Sequence, residues 1–430
     1  MSGNMSVLAD LAPVSRAARV QKVRSPGGIE AWLVEDYAVS LVAFDFAMGG
    51  GGAQDPAGRP GVSNLLTSLL DEGAGPYDAP GFHQALDDLA IHLSFGTDRD
   101  HLTGHLMTLA RNTDQAFELL RLAVCESRLD ADPVARVRGQ IAAGLRRELN
   151  DPDSMAARAL RRLSFPGHPY GWPVRGDLDT LEAITRDDLV DLRARTISRE
   201  KLVVAAVGAI DAATLATKLD LVFGALPARG SLVETPAVTL SGVGDVQVDT
   251  LDIPQTTIRF ARPGLARKDP DYIAATVVNH ILGGGAFTAR LFREVREKRG
   301  LAYSVYSHLQ TFAKAAIVMG GTSTKNERAR ESLDVIQHEI RDLAENGPLE
   351  DELVKAKKYL TGSYALSFDT STKIASQLVH LQNEGFDASW LDERNQRIDA
   401  VTMDDAKRAA KRLFGDGALL VAAAGKPAGM

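Results

Sequence analysis

Two homologous α+β domains, each a largely antiparallel sheet flanked by helices, are predicted by three observations. These are the chain length, a long internal repeat, and a matched order of strands and helices in the two halves. The 430 residues exceed what one ordinary hydrophobic core holds, since domains run to roughly 100–200 residues. The segments AITRDDLVDLRARTISREKLVVAAVG (183–208) and AVTMDDAKRAAKRLFGDGALLVAAAG (400–425) align without a gap, with ten identities in 26 positions. The repeat distance, about 215 residues, is far too long for a solenoid unit and implies duplication of a whole domain.

The elements follow the same order in both halves. IEAWLVE and SLVAFDFAM read as strands, followed by the turn Asp55-Pro56 and a helix ending SLLDEGAG. TTIRFARP reads as a strand, followed by Asp269-Pro270 and a helix ending HILGGGAF. Toward the end of each half, Thr185 and Thr402 are N-cap candidates with Asp187-Asp188 and Asp404-Asp405 in the first helical turn, where acidic side chains complement the helix dipole. An amphipathic helix and a buried strand close each half. PARGSLVETPAVTLSGVGDV (227–246), rich in Pro, Gly, Ser and Thr, reads as the connection. The expected division is a first domain at 1–228, a linker at 229–244 and a second domain at 245–430.

Composition narrows the function classes. The net charge of −7 offers no general attraction for nucleic acid or anionic lipid. Cys125 is the single cysteine, which excludes an internal disulfide and any cysteine-based metal cluster; its Leu and Val neighbours suggest packing. No window approaches the ~18 apolar residues of a membrane span. The first 22 residues lack the ~7–15-residue apolar stretch of a signal peptide. The expectation is a soluble chain, cytoplasmic as it stands and periplasmic if a signal has been removed.

Two small motifs read as structural. His101 and His105 sit four apart in an alternating stretch, with no carboxylate placed as a zincin base. Gly49–Gly52 follows a strand, but no phosphate-binding Lys-Ser/Thr pattern comes after it.

The segment LGGGAFTARLFREVREKRGLAYSVYSHL, 282–309, holds more. Ala286–Arg299 reads as a helix, Gly300 as its C-cap, and Leu301–Leu309 as a strand. Alternation puts Tyr303, Val305 and Ser307 on one strand face and Ser304, Tyr306 and His308 on the other. A glycine turn between Arg296 and Tyr303 can bring both tips to one place. Arg offers planar donors and Tyr a directed hydroxyl, a combination able to hold a peptide carbonyl or stabilise an oxyanion. By spacing alone, the segment reads first as a solvated helix face with a core tyrosine.

This segment resembles the C-terminal half of the insulinase/mitochondrial-processing-peptidase (pitrilysin-like) zinc peptidases. The resembling features are Gly283–Gly285, Arg290-Leu291-Phe292 and the run Arg-Glu-Lys-Arg-Gly-Leu-Ala-Tyr ending at Tyr303. His168-Pro169-Tyr170-Gly171 with Gly176, and the Asp-Pro before each early helix, resemble the same family. The resemblance spans nearly the whole chain and implies two homologous α+β domains. It implies that Arg296 and Tyr303 are the family's Arg/Tyr pair.

Catalytic members of that family carry His-x-x-Glu-His on the first helix, two zinc ligands and a general base, with a further Glu ligand downstream. The matching stretch here is GVSNLLTSLLDEG, whose motif positions are Asn64, Thr67 and Ser68. The downstream position falls near Ala143–Gly144; Glu148 comes about one helical turn too late. The resemblance therefore implies a non-catalytic subunit of a bacterial two-chain peptidase, with no cofactor of its own. Its expected partner is a homologous subunit bearing His-x-x-Glu-His and zinc. Its expected substrate is a peptide or unfolded polypeptide, held by strand addition, with Arg296 and Tyr303 acting in trans. The rival expectation is a purely structural subunit of a larger complex, with the Arg/Tyr pair as a relic.

Overall fold

The computed structural model describes residues 19–430. The first 18 residues, which open the 1–228 domain and carry most of the signal-peptide reading, lie outside the described residues. Among those described, no helix is long and apolar enough to cross a membrane.

There are two sheets. The first contains β1 (Gln21–Arg24), β2 (Glu30–Glu35), β3 (Leu41–Gly49), β4 (His92–Thr97), β5 (His101–Leu109) and β6 (Val203–Gly208), in the order β1-β2-β6-β3-β5-β4. The second contains β7 (Val246–Thr250), β8 (Gln255–Pro263), β9 (Ala302–Thr311), β10 (Ala316–Lys325) and β11 (Leu420–Gly425), in the order β7-β11-β8-β10-β9. Each sheet is antiparallel except for one parallel pair at corresponding places, β2 with β6 and β7 with β11. The closing strands of the repeat, β6 and β11, therefore occupy equivalent interior positions. Helices flank both sheets, so the α+β duplication expected from the repeat is the architecture found.

The repeat extends to hydrogen bonds. Thr185 and Thr402 cap the helices Arg186–Thr196 and Met403–Phe414, each forming a reciprocal capping box with the aspartate three residues on, Asp188 and Asp405. The repeated arginine ties each of these helices to the Asp-Pro turn of its own half. Arg195 donates to the Gln54 carbonyl at 3.1 Å. Arg412 donates to Asp269 at 2.9 Å and to Asp271 at 2.5 Å. Asp55 in turn accepts from the backbone N–H groups of Gly61 and Ser63, at 2.7 and 2.8 Å.

The early helices are shorter than the sequence predicts. In the first half regular helix covers only Val62–Thr67, and SLLDEGAG continues as turns. In the second half, α-helix covers Tyr272–Asn279 and then widens to a π-helical turn over His280–Gly284. Gly283 has a packing reason: a Cβ there would lie 2.5 Å from the Ser307 Oγ of β9. Removing the side chain lets the helix end press against the strand, where Ser307 Oγ donates to Asn279 Oδ1 at 2.9 Å.

Each half has its own core, built on one face of its sheet. The opposite faces are covered reciprocally. Helix Pro152–Ser164 of the first half packs on β8 and β11, and helix Ser371–Asn383 of the second half packs on β3 and β6. Ala43, Ala47, Ala205 and Val207 thus meet Leu378 and Val379 from the other half, while Leu160 and Phe165 join Ala261, Leu420 and Ala422. The small residues of both closing strands let a helix approach closely on this side.

The His-Pro-Tyr-Gly motif latches the halves together. Tyr170, fully buried, donates from its hydroxyl to Asp100 Oδ1 at 2.5 Å and accepts from the Lys314 N–H at 3.1 Å. Asp100 Oδ2 also accepts from the Ala313 N–H at 3.0 Å. His168 Nδ1 accepts from the Tyr170 N–H, so Nε2 carries the hydrogen and donates to the Pro236 carbonyl at 3.1 Å. The connection after 227 is likewise held along its path: Gln54 exchanges two 2.8 Å hydrogen bonds with the Val233 backbone, and Ser241 N–H donates to the Ser164 carbonyl.

The reciprocal covering makes a remote prediction. Leu378 is fully buried, so Leu378→Ala should cost roughly 2–5 kcal/mol of stability, measured by denaturant unfolding. Although residue 378 belongs to the second half, its loss should reduce hydrogen-exchange protection in β3 and β6. Protection lost only in the second sheet would refute the exchange.

Candidate functional site

The predicted helix Ala286–Arg299 is not continuous. Ala286–Thr288 is one tight 3₁₀ turn, and Phe292–Glu297 is a π-helical segment. Arg290 anchors it. Its guanidinium is almost fully buried and bonds Glu352 at 2.7–3.1 Å, Asp342 at 2.7 Å and the Gly347 carbonyl at 3.3 Å. The segment stops at Gly300, whose φ of 59° is a left-handed value that suits glycine. The Leu301 N–H then returns to the Val295 carbonyl at 2.9 Å, folding the chain into β9.

The start of β9 departs from the predicted alternation. Val305 pairs with Thr322 and Ala302 with Thr324, so three steps on β9 face two on β10. The extra residue is a β-bulge. It removes Tyr303 from the face of Val305 and Ser307, which are buried, and leaves Tyr303 82% exposed. Two threonines of β10 hold the bulge: Thr322 Oγ1 donates to the Ser304 carbonyl at 3.0 Å, and Thr324 Oγ1 to the Leu301 carbonyl at 2.6 Å. Tyr303 is therefore a surface residue rather than a core one.

The bulge delivers the tyrosine to the arginine. The Arg296 guanidinium carbon lies 4.7 Å from the ring centroids of both Phe292 and Tyr303. Both contacts are cation–π. Electrostatics distinguishes Arg296 from its neighbours. Arg293, Lys298 and Arg299 all bond Glu294, at 3.2, 2.8 and 2.9 Å. Among the described residues Arg296 has neither a carboxylate nor a hydrogen-bond acceptor. One buried glutamate thus gathers three cations and leaves the fourth clamped between rings with its N–H edges free. Tyr303 lines a cleft of about 430 Å³, together with Gly300, Ser304, Ser323, Lys325 and Arg328 among others.

The positions matching the zinc motif do not suit a metal. Asn64 and Thr67 lie on the helix Val62–Thr67, and Ser68 caps it. Thr67 Oγ1 donates to the Ser63 carbonyl at 3.0 Å, and Ser68 Oγ to the Asn64 carbonyl at 2.8 Å. These hydroxyls serve the helix backbone, and none of the three is a usual zinc ligand. At the downstream position a Cβ on Gly144 would lie 2.7 Å from Arg175 Nη2, so a guanidinium occupies the adjacent space. Glu148 is paired with Arg175. Among the described residues no three His, Cys, Asp or Glu side chains converge as a metal site. His101 and His105, on β5, bond separately to Asp98 and Asp45, and Cys125 donates to the Val222 carbonyl at 3.4 Å.

Glu294 makes the anchoring of this site sensitive to acid. Burial raises its pKa, but hydrogen bonds from Lys298, Arg299 and Arg293 outweigh burial and hold it at about 2. A carboxyl depressed in the folded state stabilises fully above its unfolded value, near 4.5, and loses that contribution as pH falls through 2. The shift corresponds to at most about 3 kcal/mol. Thermal unfolding of the wild type should therefore show a larger loss of stability between pH 4.5 and 2 than Glu294→Gln shows. An identical acid profile for the two proteins would contradict this role.

Residues 183–360 match the family model described as the Peptidase M16 inactive domain. An uncharacterized zinc protease of Mycobacterium leprae is 27% identical over 403 residues, 93% of this chain and 90% of that protein. The non-peptidase homolog YmxG of Helicobacter pylori is 27% identical over 336 residues, 78% of each chain. The crystal structure of a peptidase M16 inactive domain from Pseudomonas fluorescens superposes with a TM-score of 0.89 at 27% identity, over 95% of this chain and 98% of that one. The two-sheet fold, the match over 183–360 and the likeness along nearly the whole length agree in their resemblance to M16 peptidases and, over 183–360, to the domain described as inactive in that family.

Proposed function

We propose that this chain is the zinc-free subunit of a heterodimeric metallopeptidase, and that Arg296 and Tyr303 serve the zinc site of a homologous partner bearing His-x-x-Glu-His. The observation that carries the reading is the isolation of Arg296. It has no carboxylate partner among the described residues, it lies against the rings of Phe292 and Tyr303, and that exposed tyrosine lines an open cleft. A core or surface relic has no need of that arrangement. A peptide carbonyl, or the oxyanion formed from it, supplies the missing acceptor. β9 is an edge strand, so its outer backbone groups offer an extended peptide the main-chain hydrogen bonds of strand addition. Asn64, Thr67, Ser68 and the stretch Ala143–Gly144 support the zinc-free half of the reading, because they provide neither usual zinc ligands nor a base.

In the same reading 1–228 and 245–430 are the two homologous domains, joined by 229–244. The partner supplies metal, water and base, and this chain closes the chamber and presents the Arg/Tyr pair.

Arg296→Ala and Tyr303→Phe should impair peptide hydrolysis by the reconstituted pair while gel filtration shows intact assembly. Removing one donor to a developing oxyanion typically costs about 100–1,000-fold in kcat. A role confined to holding the peptide raises KM with kcat nearly unchanged. Wild-type kinetics from both variants would instead favour a purely structural subunit.

A further inference from the structure

A second cluster of arginines stands apart from Arg296, on the first half, at the seam with the second sheet. A cleft of about 340 Å³ is lined by Arg99, Arg158, Arg161 and Arg175, with Glu148 and Asp153 as its acidic groups. Both acids are engaged: Glu148 by Arg175, and Asp153 by Arg259 of β8 at 2.6 Å. Arg99 donates Nε to the Tyr170 carbonyl at 3.1 Å and stacks on Phe312 at 5.0 Å. Arg158 and Arg161 have no hydrogen bond or ion pair among the described residues, although both are half-buried.

Neighbouring guanidinium groups repel, and the nearby carboxylates, Asp98 and Asp100 beside Arg99 and Glu148 beside Arg161, offset this only in part. The effect is visible on Arg99, whose pKa burial and the Arg161 charge push down to about 10, and on Arg161, lowered by burial and by Arg158. Such a local conflict is expected where a bound group completes the site. Beside Ser154, the cleft has an apolar wall of Leu145, Ala157, Pro173 and Val174, which can take a short aliphatic chain attached to the anion. The position is also telling. Arg175 fills the space beside Gly144, the place at which the family resemblance expects a metal-binding carboxylate. A built-in cation there reverses the demand on a ligand, from a group that binds metal to a group that is itself an anion.

We infer that this arginine cleft is a carboxylate-binding site, taking the C-terminal carboxylate of a short peptide chiefly through Arg158 and Arg161. A planar carboxylate matches the donor fork of a guanidinium, and the apolar wall accommodates the residues that precede the terminus. The inference does not depend on a zinc-bearing partner or on the Arg296–Tyr303 pair.

The test uses the full chain alone, titrated calorimetrically with N-acetyl-tetraalanine, its C-terminal amide, and an amidated peptide carrying one glutamate. The free acid should bind at least tenfold more tightly than the tetraalanine amide. If the glutamate peptide matches the acid, the site takes carboxylates generally and its restriction to a chain terminus is overturned. Arg161→Gln and Arg158→Gln should each weaken binding of the acid at least tenfold. Because Arg161 makes no bond within the chain, its replacement should leave the thermal midpoint unchanged or raise it by relieving repulsion on Arg99. A purely structural arginine would lower it. Equal binding of acid and amide, absence of binding at millimolar peptide, or wild-type affinity in both variants would overturn the assignment.

Discussion

The structure depends on one constraint: neither sheet can bury its second face with residues of its own half. The β3 and β6 face of the first sheet is lined by alanines and valines and the β8 and β11 face of the second by Ala261, Leu420 and Ala422, and each is covered by a helix from the other half. Apolar surface left in water on that scale is unfavourable. The two halves therefore form one body despite having separate main cores. Tyr170, Asp100 and the 313–314 backbone add a polar latch to that contact, and the connection is hydrogen-bonded along the body rather than left as a tether.

The Arg296–Tyr303 geometry follows from irregularities supported by that rigid frame. A π-helical segment, a left-handed glycine and a β-bulge follow one another within twelve residues, Phe292 to Tyr303. Each is weaker than the regular element it interrupts, and each is held by a specific partner: Arg290 by Glu352 and Asp342, the bulge by Thr322 and Thr324. Such departures recur near functional sites because they re-aim side chains. Here they lift Tyr303 out of the core and set its ring against Arg296.

Charge follows a similar logic in both halves. Glu294 collects Arg293, Lys298 and Arg299 and leaves Arg296 uncompensated. Glu148 and Asp153 take Arg175 and Arg259 and leave Arg158 and Arg161 uncompensated. In a chain of net charge −7 there is no shortage of carboxylates, so these cations are unpaired by placement rather than by composition. The resulting surfaces favour acceptors and anions.

The duplication, the paired caps at Thr185 and Thr402 and the closing strands were all legible in the sequence. Each depends on local chemistry or on a side chain's identity, which a linear pattern states directly. The family resemblance, likewise, rested on a short run of residue types ending at Tyr303. Three features were not legible. The early helix of the second half gives up regular α-helix at Asn279, because Gly283 and its neighbours pack against β9. Tyr303 lies outside the strand alternation, because a bulge is set by register with β10, a partner distant in sequence. Helices 152–164 and 371–383 carry ordinary amphipathic patterns that cannot name which sheet they cover. Sequence alone determined what each segment can form and which residue types stand at the motif positions. Tertiary structure decided which halves exchange helices and which arginines are left without anions, because both depend on contacts between residues far apart along the chain.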